Sequence, residues 1–386
     1  MRLLLSKLVY KPACLTLLAL SVASIGTAQA GVTIKGPGDS SFSIGAGLRM
    51  SYSSSDEPNP ATMRDKDFEL DNVRIFTSGQ ITKEISAVFN TERDADNDVI
   101  VMDAIGRFAF SPELNVWVGR QLPAVDRANL AGPFYATAWS YPGLVSNNPA
   151  IAVGRDNGVQ VWGNLSSFKY VVGLFNGHNN HEDVGGTDSL AITGRFAYSF
   201  IGSEAGPVYY ENGTYHGAQD LFTVAFGFQS QNDGVGTATE QDDYLSWNVD
   251  FLYESKLTAN TGSLTLEGAY YKYDFDVVDC GVGGVTAPCA NGGDNVGGLL
   301  PGEAFLASIA YLFPHQVGIG KFQPYVRYQK REVDEIDNSD SEQLDVGIHY
   351  VMKGHDARIS LTYTDFDSDN DAADDDFFVL GVQLQY

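Results

Sequence analysis

The chain ends with Phe377-Phe378-Val379-Leu380-Gly381-Val382-Gln383-Leu384-Gln385-Tyr386. Successive side chains of a β-strand point to opposite faces, so one face of this stretch is apolar and ends in an aromatic residue. That face carries Phe378, Leu380, Val382, Leu384 and Tyr386. The opposite face, with Val379, Gly381, Gln383 and Gln385, is small or polar. Such a pattern is typical of a strand with lipid on one side and a wet interior on the other.

The same alternation recurs along the chain. It is clear from Phe42 to Met50, from Leu245 to Tyr253 and from Leu344 to Tyr350, where apolar residues alternate with small, polar or charged ones. The predicted strands begin near Ser41, Asp67, Glu84, Ile100, Glu113, Asp156, Ser167, Ser189, Gln219, Asp243, Gly262, Glu303, Lys321, Gln343, Asp356 and Phe377. An even number of short amphipathic strands predicts an all-β fold, a transmembrane antiparallel β-barrel of about 16 strands.

The first thirty residues have the pattern of a targeting segment. Basic residues precede the mostly apolar run from Leu15 to Ile25, and the small residues of Ala28-Gln29-Ala30 follow it. This order is that of a cleaved secretory signal peptide. We therefore expect a signal peptide at 1–30 and a single outer-membrane β-barrel domain at 31–386.

The chain has 49 acidic and 24 basic residues, a formal net charge of -25. Nucleic acid is therefore not expected as a partner, because its phosphates require a basic surface. After Ala30, no run approaches the ~20 apolar residues that a membrane helix needs. With 20 Tyr, 22 Phe and 41 Gly, the composition instead favours strands in contact with outer-membrane lipid.

The predicted connections form two alternating sets. One set is short, for example Ile81 to Lys83, and the other is longer and acidic, for example Ser53 to Lys66 and Asp94 to Val99. Outer-membrane barrels have short turns at one end and long loops, outside the cell, at the other. The connection from Ile201 to Ala218 is long but falls in the short set. It indicates either a miscounted strand or an insertion on the periplasmic side.

The longest connection, Leu122 to Gly154, follows the fifth predicted strand. It contains four prolines with Phe134, Tyr135 and Trp139 among them. Aromatic side chains need a surface to bury against, and the wall of the lumen offers one. We predict that this third outer loop folds into the lumen as a constriction loop at 122–154. The alternative is a loop packed over the barrel mouth or against a trimer neighbour.

The region from about residue 65 to 135 carries a family resemblance. Asp67-Phe-Glu-Leu-Asp-Asn-Val-Arg-Ile-Phe-Thr-Ser-Gly79, followed by Glu84-Ile-Ser-Ala-Val-Phe-Asn-Thr-Glu92, resembles the early hairpin of the phosphate-selective porin O and P family. Val118-Gly-Arg-Gln-Leu-Pro123 with Asn129-Leu-Ala-Gly-Pro133 does so too. The resemblance implies an outer-membrane porin with sixteen strands, a homotrimeric assembly and the third outer loop inside the pore.

A pore selects ions by the charge and width of its lining, so inward-facing charges are the candidate selectivity residues. Arg120 is included although it falls on the face of Val118, at a strand end or beyond a bulge near Gly119. The alternative is that the arginines pair with the acids and only brace the wall. The candidates are Arg49, Arg74, Arg107, Arg120, Arg127, Arg195, Arg327, Arg358, Asp103, Asp250 and Glu267, with Asp126 in the constriction loop.

The ion preference rests on two opposing features. Lining arginines and the family resemblance favour anions, whereas the acidic outer loops draw cations to the mouth. Charge at the constriction should dominate, because it acts in a narrow and poorly screened space. A phosphate site needs clustered basic donors, but the constriction loop contains only Arg127. We expect passive diffusion of small hydrophilic solutes and ions with a weak anion, phosphate-like, preference and no cofactor.

Other motifs give weaker signals. Cys280 and Cys289 lie in one glycine-rich outer loop of an exported chain, so a disulfide is expected. His178 and His181 lack further ligands and the acidic runs lack the pattern of a Ca²⁺ loop, so no metal site is predicted. No nucleophile motif is recognisable, which argues against an enzyme. The alternative function is a non-conducting outer-membrane barrel that acts as an adhesin or structural surface protein.

Overall fold

The structure is a computed structural model that describes residues 31–59, 64–93, 97–146, 154–177, 188–204, 206, 210–236, 241–258, 260–276, 300–334, 339–369 and 375–386. Strands make up most of this part of the chain, and a single helix, α1 (Arg127–Tyr135), accompanies them. Among the described residues, no helix has the length and apolar character needed to cross a membrane.

All sixteen predicted strands form, and each begins within three residues of its predicted start. A further strand, β1, was not predicted because four residues are too few to show an alternation. The strands are β1 (Val32–Lys35), β2 (Ser41–Asn59), β3 (Arg64–Gln80), β4 (Ile85–Arg93), β5 (Val99–Ser111), β6 (Leu114–Gln121), β7 (Asp156–Leu165), β8 (Phe168–Phe175), β9 (Ala191–Ile201), β10 (Leu221–Gly236), β11 (Gln241–Thr258), β12 (Gly262–Asp274), β13 (Gly302–Leu312), β14 (Lys321–Val333), β15 (Ser341–Lys353), β16 (Ala357–Ser368) and β17 (Asp375–Gln385).

Strands β2 to β17 close into one antiparallel barrel. Each pairs with the next along the chain, and β17 pairs with β2 along most of its length. Where β17 ends, Tyr386 exchanges backbone hydrogen bonds of 2.7 and 2.8 Å with Ala46. β1 then pairs with the same edge of β2, with Val32 opposite Ile44. β17 and β1 thus share one position in the barrel, and the sheet closes on itself.

The outer surface of the barrel is apolar, as the alternation predicts. On β17, Phe378, Leu380 and Val382 are 55%, 49% and 37% exposed, whereas Gly381 and Gln383 are buried on the inner face. Aromatic side chains contact one another near both ends of this surface. Near the short turns these are Phe200, Phe222, Tyr253, Tyr311, Phe313, Phe322 and Tyr350, and near the long loops they are Tyr52, Phe68, Trp247, Tyr270, Phe305, Tyr363 and Phe378. An apolar band flanked by aromatic residues is the surface of a barrel that crosses a bilayer.

The two ends of the barrel differ in their connections. At one end, six pairs of neighbouring strands are joined by between two and eight residues. The connection at 202–220, between β9 and β10, lies at this same end. It is therefore an insertion, and the strands were not miscounted. At the other end, the predicted loop from Ser53 to Lys66 is shorter than expected, because β2 continues to Asn59 and β3 begins at Arg64.

Candidate functional site: the interior of the barrel

The connection between β6 and β7, residues 122–155, is called the long loop below. Its described residues, 122–146 and 154–155, fold into the barrel. The long loop contains α1, whose N-cap Asp126 accepts a 2.6 Å hydrogen bond from the Asn129 amide. The helix is kinked at Gly132, where φ is 55°, directly before Pro133. Glycine adopts this backbone conformation readily, and the kink turns the chain towards the opposite wall.

Two aromatic rings of the long loop pack where the wall carries glycine. Phe134 lies against Gly47 of β2 and Trp139 lies against Gly381 of β17. Each ring occupies the space that a side chain at the glycine would fill. Phe134, Tyr135 and Trp139 are all buried, and the inward fold of this loop is therefore confirmed.

Basic and polar side chains of the wall hold the backbone of the long loop. Arg358 donates a 3.0 Å hydrogen bond to the Ala136 carbonyl oxygen, and Gln383 donates one of 2.9 Å to that of Phe134. These bonds satisfy peptide groups that would otherwise be buried without partners. Further side chains that contact this backbone are Arg49, Tyr325, Arg327 and His349.

Arg49 and Arg74 face inward beside the aromatic rings of the long loop. The guanidinium carbon of Arg49 lies 3.9 Å from the centre of the Trp139 ring, and that of Arg74 lies 4.9 Å from the centre of the Phe134 ring. Arg74 also forms a 2.6 Å ion pair with Glu92. A planar guanidinium stacks favourably on an aromatic face, so these contacts fix the loop against β2 and β3.

The insertion at residues 202–220 is called the inner insert below. Its described residues, 202–204, 206 and 210–220, also fold into the barrel, from the short-turn end. The Gly213 amide donates a 2.9 Å hydrogen bond to the Tyr135 carbonyl oxygen. The ring centres of Tyr210 and Tyr135 are 5.4 Å apart. Arg127 of the long loop donates a 2.9 Å hydrogen bond to the Asn212 carbonyl oxygen. The long loop and the inner insert therefore meet inside the barrel.

A buried ionic cluster joins the two segments to the wall. Arg127 donates hydrogen bonds of 2.8 and 2.7 Å to the two carboxylate oxygens of Glu204. It also lies 3.8 Å from Asp250, which forms an ion pair with Arg195 of β9. The cluster contains three bases and three acids, Lys169, Arg127, Arg195, Glu204, Glu211 and Asp250. Its formal charge is therefore balanced.

The pKa values of Glu204 and Arg127 reflect this pairing. Burial by itself would raise the pKa of Glu204, but the charge and hydrogen bonds of Arg127 outweigh it and lower the pKa to about 2. Burial likewise opposes the charge of Arg127, but the surrounding carboxylates hold its pKa well above the ordinary value. Both groups therefore remain charged, and each would be costly to bury without the other.

On another side of the barrel, the start of the long loop packs on an apolar part of the wall. Arg107, a predicted lining residue, lies beside it with its guanidinium carbon 4.1 Å from the centre of the Trp117 ring. The cluster contains Val88, Ile105, Trp117, Leu122, Ala124, Leu130 and Val171. Together with the contacts above, the long loop and the inner insert touch the wall around the barrel, from β2 and β3 to β14–β17.

The predicted lining residues other than Arg120 lie in or beside this interior. Asp103 accepts hydrogen bonds from Arg155 at 3.2 Å and from the Tyr210 hydroxyl at 3.0 Å. Glu267 accepts one of 3.2 Å from the Thr137 hydroxyl. The arginines that form ion pairs with carboxylates are Arg74, Arg127, Arg155, Arg195 and Arg327. For these side chains, bracing of the interior is the arrangement observed.

Arg120 does not line the interior, so this prediction was wrong. Gln121 and Trp117 are buried on the inner face of β6, whereas Arg120 lies on the outer face with Val118. The pairing of β5 with β6 stays in register through Gly119, so no bulge turns Arg120 inward. Its guanidinium instead donates a 3.2 Å hydrogen bond to the side chain of Asn157.

A cavity of 1230 Å³ lies between β2, β3 and the long loop. Trp139, Tyr141 and Pro133 of the loop form part of its lining. Of its basic side chains, Arg49 and Arg74 contact the aromatic rings of the long loop, and three acids follow β3. The charged residues of the lining are Arg49, Arg74, Arg93, Arg155, Asp67, Glu69 and Asp71. A cavity with both charges and aromatic surface is suited to a small hydrophilic solute.

The sequence patterns did not identify the residues of the inner insert as part of the site. Glu204, Tyr210 and Glu211 reach across the barrel to partners that are distant in sequence, such as Arg127 and Arg155. The one available signal was the length of the connection at 202–220. Alternation cannot predict where an irregular segment will pack, because its partners lie on several different strands.

Four further predicted residues lie outside the described residues. These are Cys280 and Cys289, expected as a disulfide, and His178 and His181. Among the described residues, no group of three or more His, Cys, Asp or Glu side chains is arranged to hold a metal ion.

The fold is shared with solved outer-membrane proteins. The chain is similar to OmpF of Salmonella typhi, solved in complex with daunomycin (13% identity, 92% of this chain and 100% of that chain, TM-score 0.58). It is similar to an anion-selective porin from Comamonas acidovorans (13% identity, 90% and 100% covered, TM-score 0.58). It is also similar to the in-vitro folded trimer form of OmpT from Vibrio cholerae (12% identity, 90% and 99% covered, TM-score 0.52). No protein-family model and no curated protein matches the chain.

The class of fold follows from this likeness and from the strand order. The chain has the porin fold, a closed sixteen-stranded antiparallel barrel with an inward third loop. At these identities the likeness concerns the fold alone. The resemblance of residues 65 to 135 to the phosphate-selective porin O and P family stays a prediction.

Proposed function

We propose that the protein is an outer-membrane porin through which small hydrophilic solutes and ions diffuse passively. The observation that carries this proposal is a barrel that is apolar outside and charged inside, with a 1230 Å³ cavity above the long loop. The shared fold of an anion-selective porin supports it. Residues 1–30 would act as a cleaved signal peptide, and the barrel would lie in the lipid of the bacterial outer membrane.

The permeation path of this porin would be narrow. The long loop and the inner insert meet at Tyr135 and Gly213, and both are anchored to the wall by buried ion pairs. Solutes would pass beside this contact or during its opening. Low conductance with discrete closures is therefore expected of the native protein.

The charge of the interior supports a weak anion preference. The cluster around Arg127 is balanced, so it favours neither sign. Arg49 and Arg358 are buried beside the long loop without an ion pair among the described residues, and they favour anions. The carboxylates of Glu254 and Glu267 also lack an ion pair in this part of the chain, so the proposed preference is weak. The described cationic donor of the constriction, Arg127, is occupied by Glu204, so a site dedicated to phosphate is not favoured.

We further propose a homotrimer. The trimer form of the similarly folded OmpT supports this assembly. The inward position of the long loop also leaves the outer wall available for contact with neighbours. Cross-linking of the protein in outer membranes, followed by electrophoresis, would measure the number of subunits.

A non-conducting barrel with a structural or adhesive role is the second candidate. The observation that favours it is the same contact of the long loop with the inner insert, which narrows the interior of the barrel. The two candidates differ in one property, the passage of solutes.

Swelling of proteoliposomes tests the proposed porin directly. Purified protein, shown to be folded by its heat-dependent migration on gels, is reconstituted and diluted into iso-osmotic solutions of neutral sugars. The proposal predicts swelling that is fastest for the smallest sugar and falls as sugar size increases. Folded protein that gives no more swelling than empty liposomes would contradict it and favour the second candidate.

A further inference from the structure

A group of basic and amide side chains lies where the long loop, the inner insert and the wall meet. Arg358 of β16 faces Gln383 across the strand pair, and Gln323 of β14 faces His349 in the same way. From the inner insert, His216 reaches this part of the wall. These residues are called the basic patch below, together with His355, whose ring centre is 4.6 Å from that of His216.

The basic patch contains several buried polar atoms without hydrogen-bond partners. Arg358 and Gln323 are fully buried. Arg358 donates through Nη1 to the Ala136 carbonyl oxygen, but its Nε and Nη2 atoms have no acceptor. The amide of Gln323 and the ring of His216 lie within reach of each other, and the described residues offer neither side chain a further hydrogen-bond partner. Buried donors of this kind are normally satisfied in proteins.

Among the described residues, no ion pair joins Arg358 to an acid. Its titratable neighbours Arg49, His216, His349 and His355 are basic, and Tyr325 is a neutral phenol whose hydroxyl is bonded to Thr362. The buried Glu254 lies beside His216, where it accepts hydrogen bonds from the Tyr215 and Gly217 backbone amides. A guanidinium in a buried place is strongly disfavoured unless it is paired.

The free atoms of Arg358 have the geometry for one class of ligand. Nε and Nη2 lie on the same edge of the guanidinium and donate in parallel, which matches two oxygen atoms of a single oxyanion. A neutral histidine ring and an amide group each offer one more donor, so His216 and Gln323 can complete the set.

We propose that the basic patch binds a small oxyanion, such as sulfate or a short carboxylate, held on the Nε and Nη2 edge of Arg358. The anion pairs with Arg358 and joins β16, the long loop at Ala136 and the inner insert at His216. Its binding therefore stabilises the contact of the two inserted segments. The binding itself does not depend on whether the barrel conducts.

Thermal unfolding with added anions tests the proposal. Purified protein in detergent micelles is titrated with sodium sulfate, sodium acetate or sodium chloride in a dilute Tris buffer whose only anion is chloride. The proposal predicts a saturable rise in Tm of roughly 5 °C with sulfate or acetate. Arg358→Gln should abolish it. Arg327→Gln, which also removes an arginine bonded to the long loop but one paired with Asp345, should keep it.

A second measurement tests the proposal even if Arg358→Gln does not fold. Binding of radiolabelled sulfate and acetate to the wild-type protein, and to Gln323→Leu, reports the site without unfolding. Saturable binding that Gln323→Leu weakens supports the proposal, and the tighter ligand distinguishes sulfate from carboxylate. An equal, unsaturated response to every salt in both arginine variants, a response to chloride only, or no binding at all would overturn it.

Discussion

Arg127 is the residue on which the interior of the barrel most depends. It connects the long loop to Glu204 of the inner insert and lies close to Asp250 of the wall. A neutral residue in its place would leave these acids buried with less positive charge. Such unpaired burial costs about 3–5 kcal/mol.

We therefore expect Arg127→Gln to lower the free energy of unfolding by about 3–5 kcal/mol and to raise conductance, since the inner insert loses its anchor. Denaturant unfolding and single-channel recording measure the two effects. Arg120→Gln, on the outer face, is the matched control and should change both little. Arg127→Glu should in addition move the reversal potential towards that of potassium. Unchanged stability and current in Arg127→Gln would contradict the role of the ionic cluster.

Because the pKa of Glu204 is lowered in the folded protein, the stability of the barrel should depend on pH. The pKa of Glu204 in the folded protein, about 2, lies below the ordinary value of 4.5. Its stabilising contribution is thus fully present above pH 4.5 and is lost as the pH falls towards 2. The Tm of wild-type protein should exceed that of Glu204→Gln near pH 6, and the difference should shrink through this range. A difference that grows on acidification would contradict the pairing.

Asp126 should behave in the opposite sense. Burial raises its pKa from 3.8 to about 6, although hydrogen bonds from Ser146 and Asn129 oppose the shift. Its neutral form is therefore favoured in the folded state, and stability is lost as the pH rises from about 4 to 6. Asp126→Asn should remove this loss in thermal melts from pH 3 to 7. An unchanged pH profile in Asp126→Asn would assign it to other groups.

At the scale of elements, two segments shape the interior and only one was predictable. The aromatic residues of the long loop indicate that it packs against a surface. The strands are indicated by the alternation of apolar and polar residues. The inner insert has neither signal, since its acids pair with arginines far away in sequence. The error at Arg120 also has a structural cause. A bulge at Gly119 would have turned Arg120 inward, but β5 and β6 stay in register there.

The packing of the long loop on glycine gives a prediction at this scale. In Gly381→Leu, the new side chain would occupy the space of the Trp139 ring and displace the loop from β17. Conductance should rise severalfold and Tm should fall. Gly79→Leu is the control, because a side chain there meets nothing within 4 Å. Equal effects of the two changes would show that the loop does not narrow the pore through this contact.

The inner insert can be removed by replacing residues 205–213 with a short Gly-Ser linker. This variant should show a larger conductance and fewer closures than the wild type, because the long loop loses its contact at Tyr135. An equivalent shortening of the turn at 316–319 serves as control, since Val317 and Ile319 of that turn are 54% and 70% exposed at the barrel end. Wild-type conductance after removal of the insert would exclude it as a part of the barrier.

At the scale of the whole molecule, the barrel separates two charge environments. Its outer wall is apolar, its interior contains mostly balanced ion pairs, and the basic patch and Arg49 add positive charge beside the long loop. Most of this fold could be predicted, because alternation repeats sixteen times and errors at single strands do not change the total. The contact between the long loop and the inner insert could not be predicted, since the two segments share no local pattern.

Single-channel current of the purified protein in a planar bilayer, under a potassium chloride gradient, tests the central proposal most directly. A porin with the proposed narrow path and weak anion preference should give small, stepwise currents with closures. Its reversal potential should be displaced slightly towards that of chloride. Reversal on the potassium side would contradict the proposed anion preference. No current from correctly folded protein would contradict the porin itself and leave the non-conducting barrel.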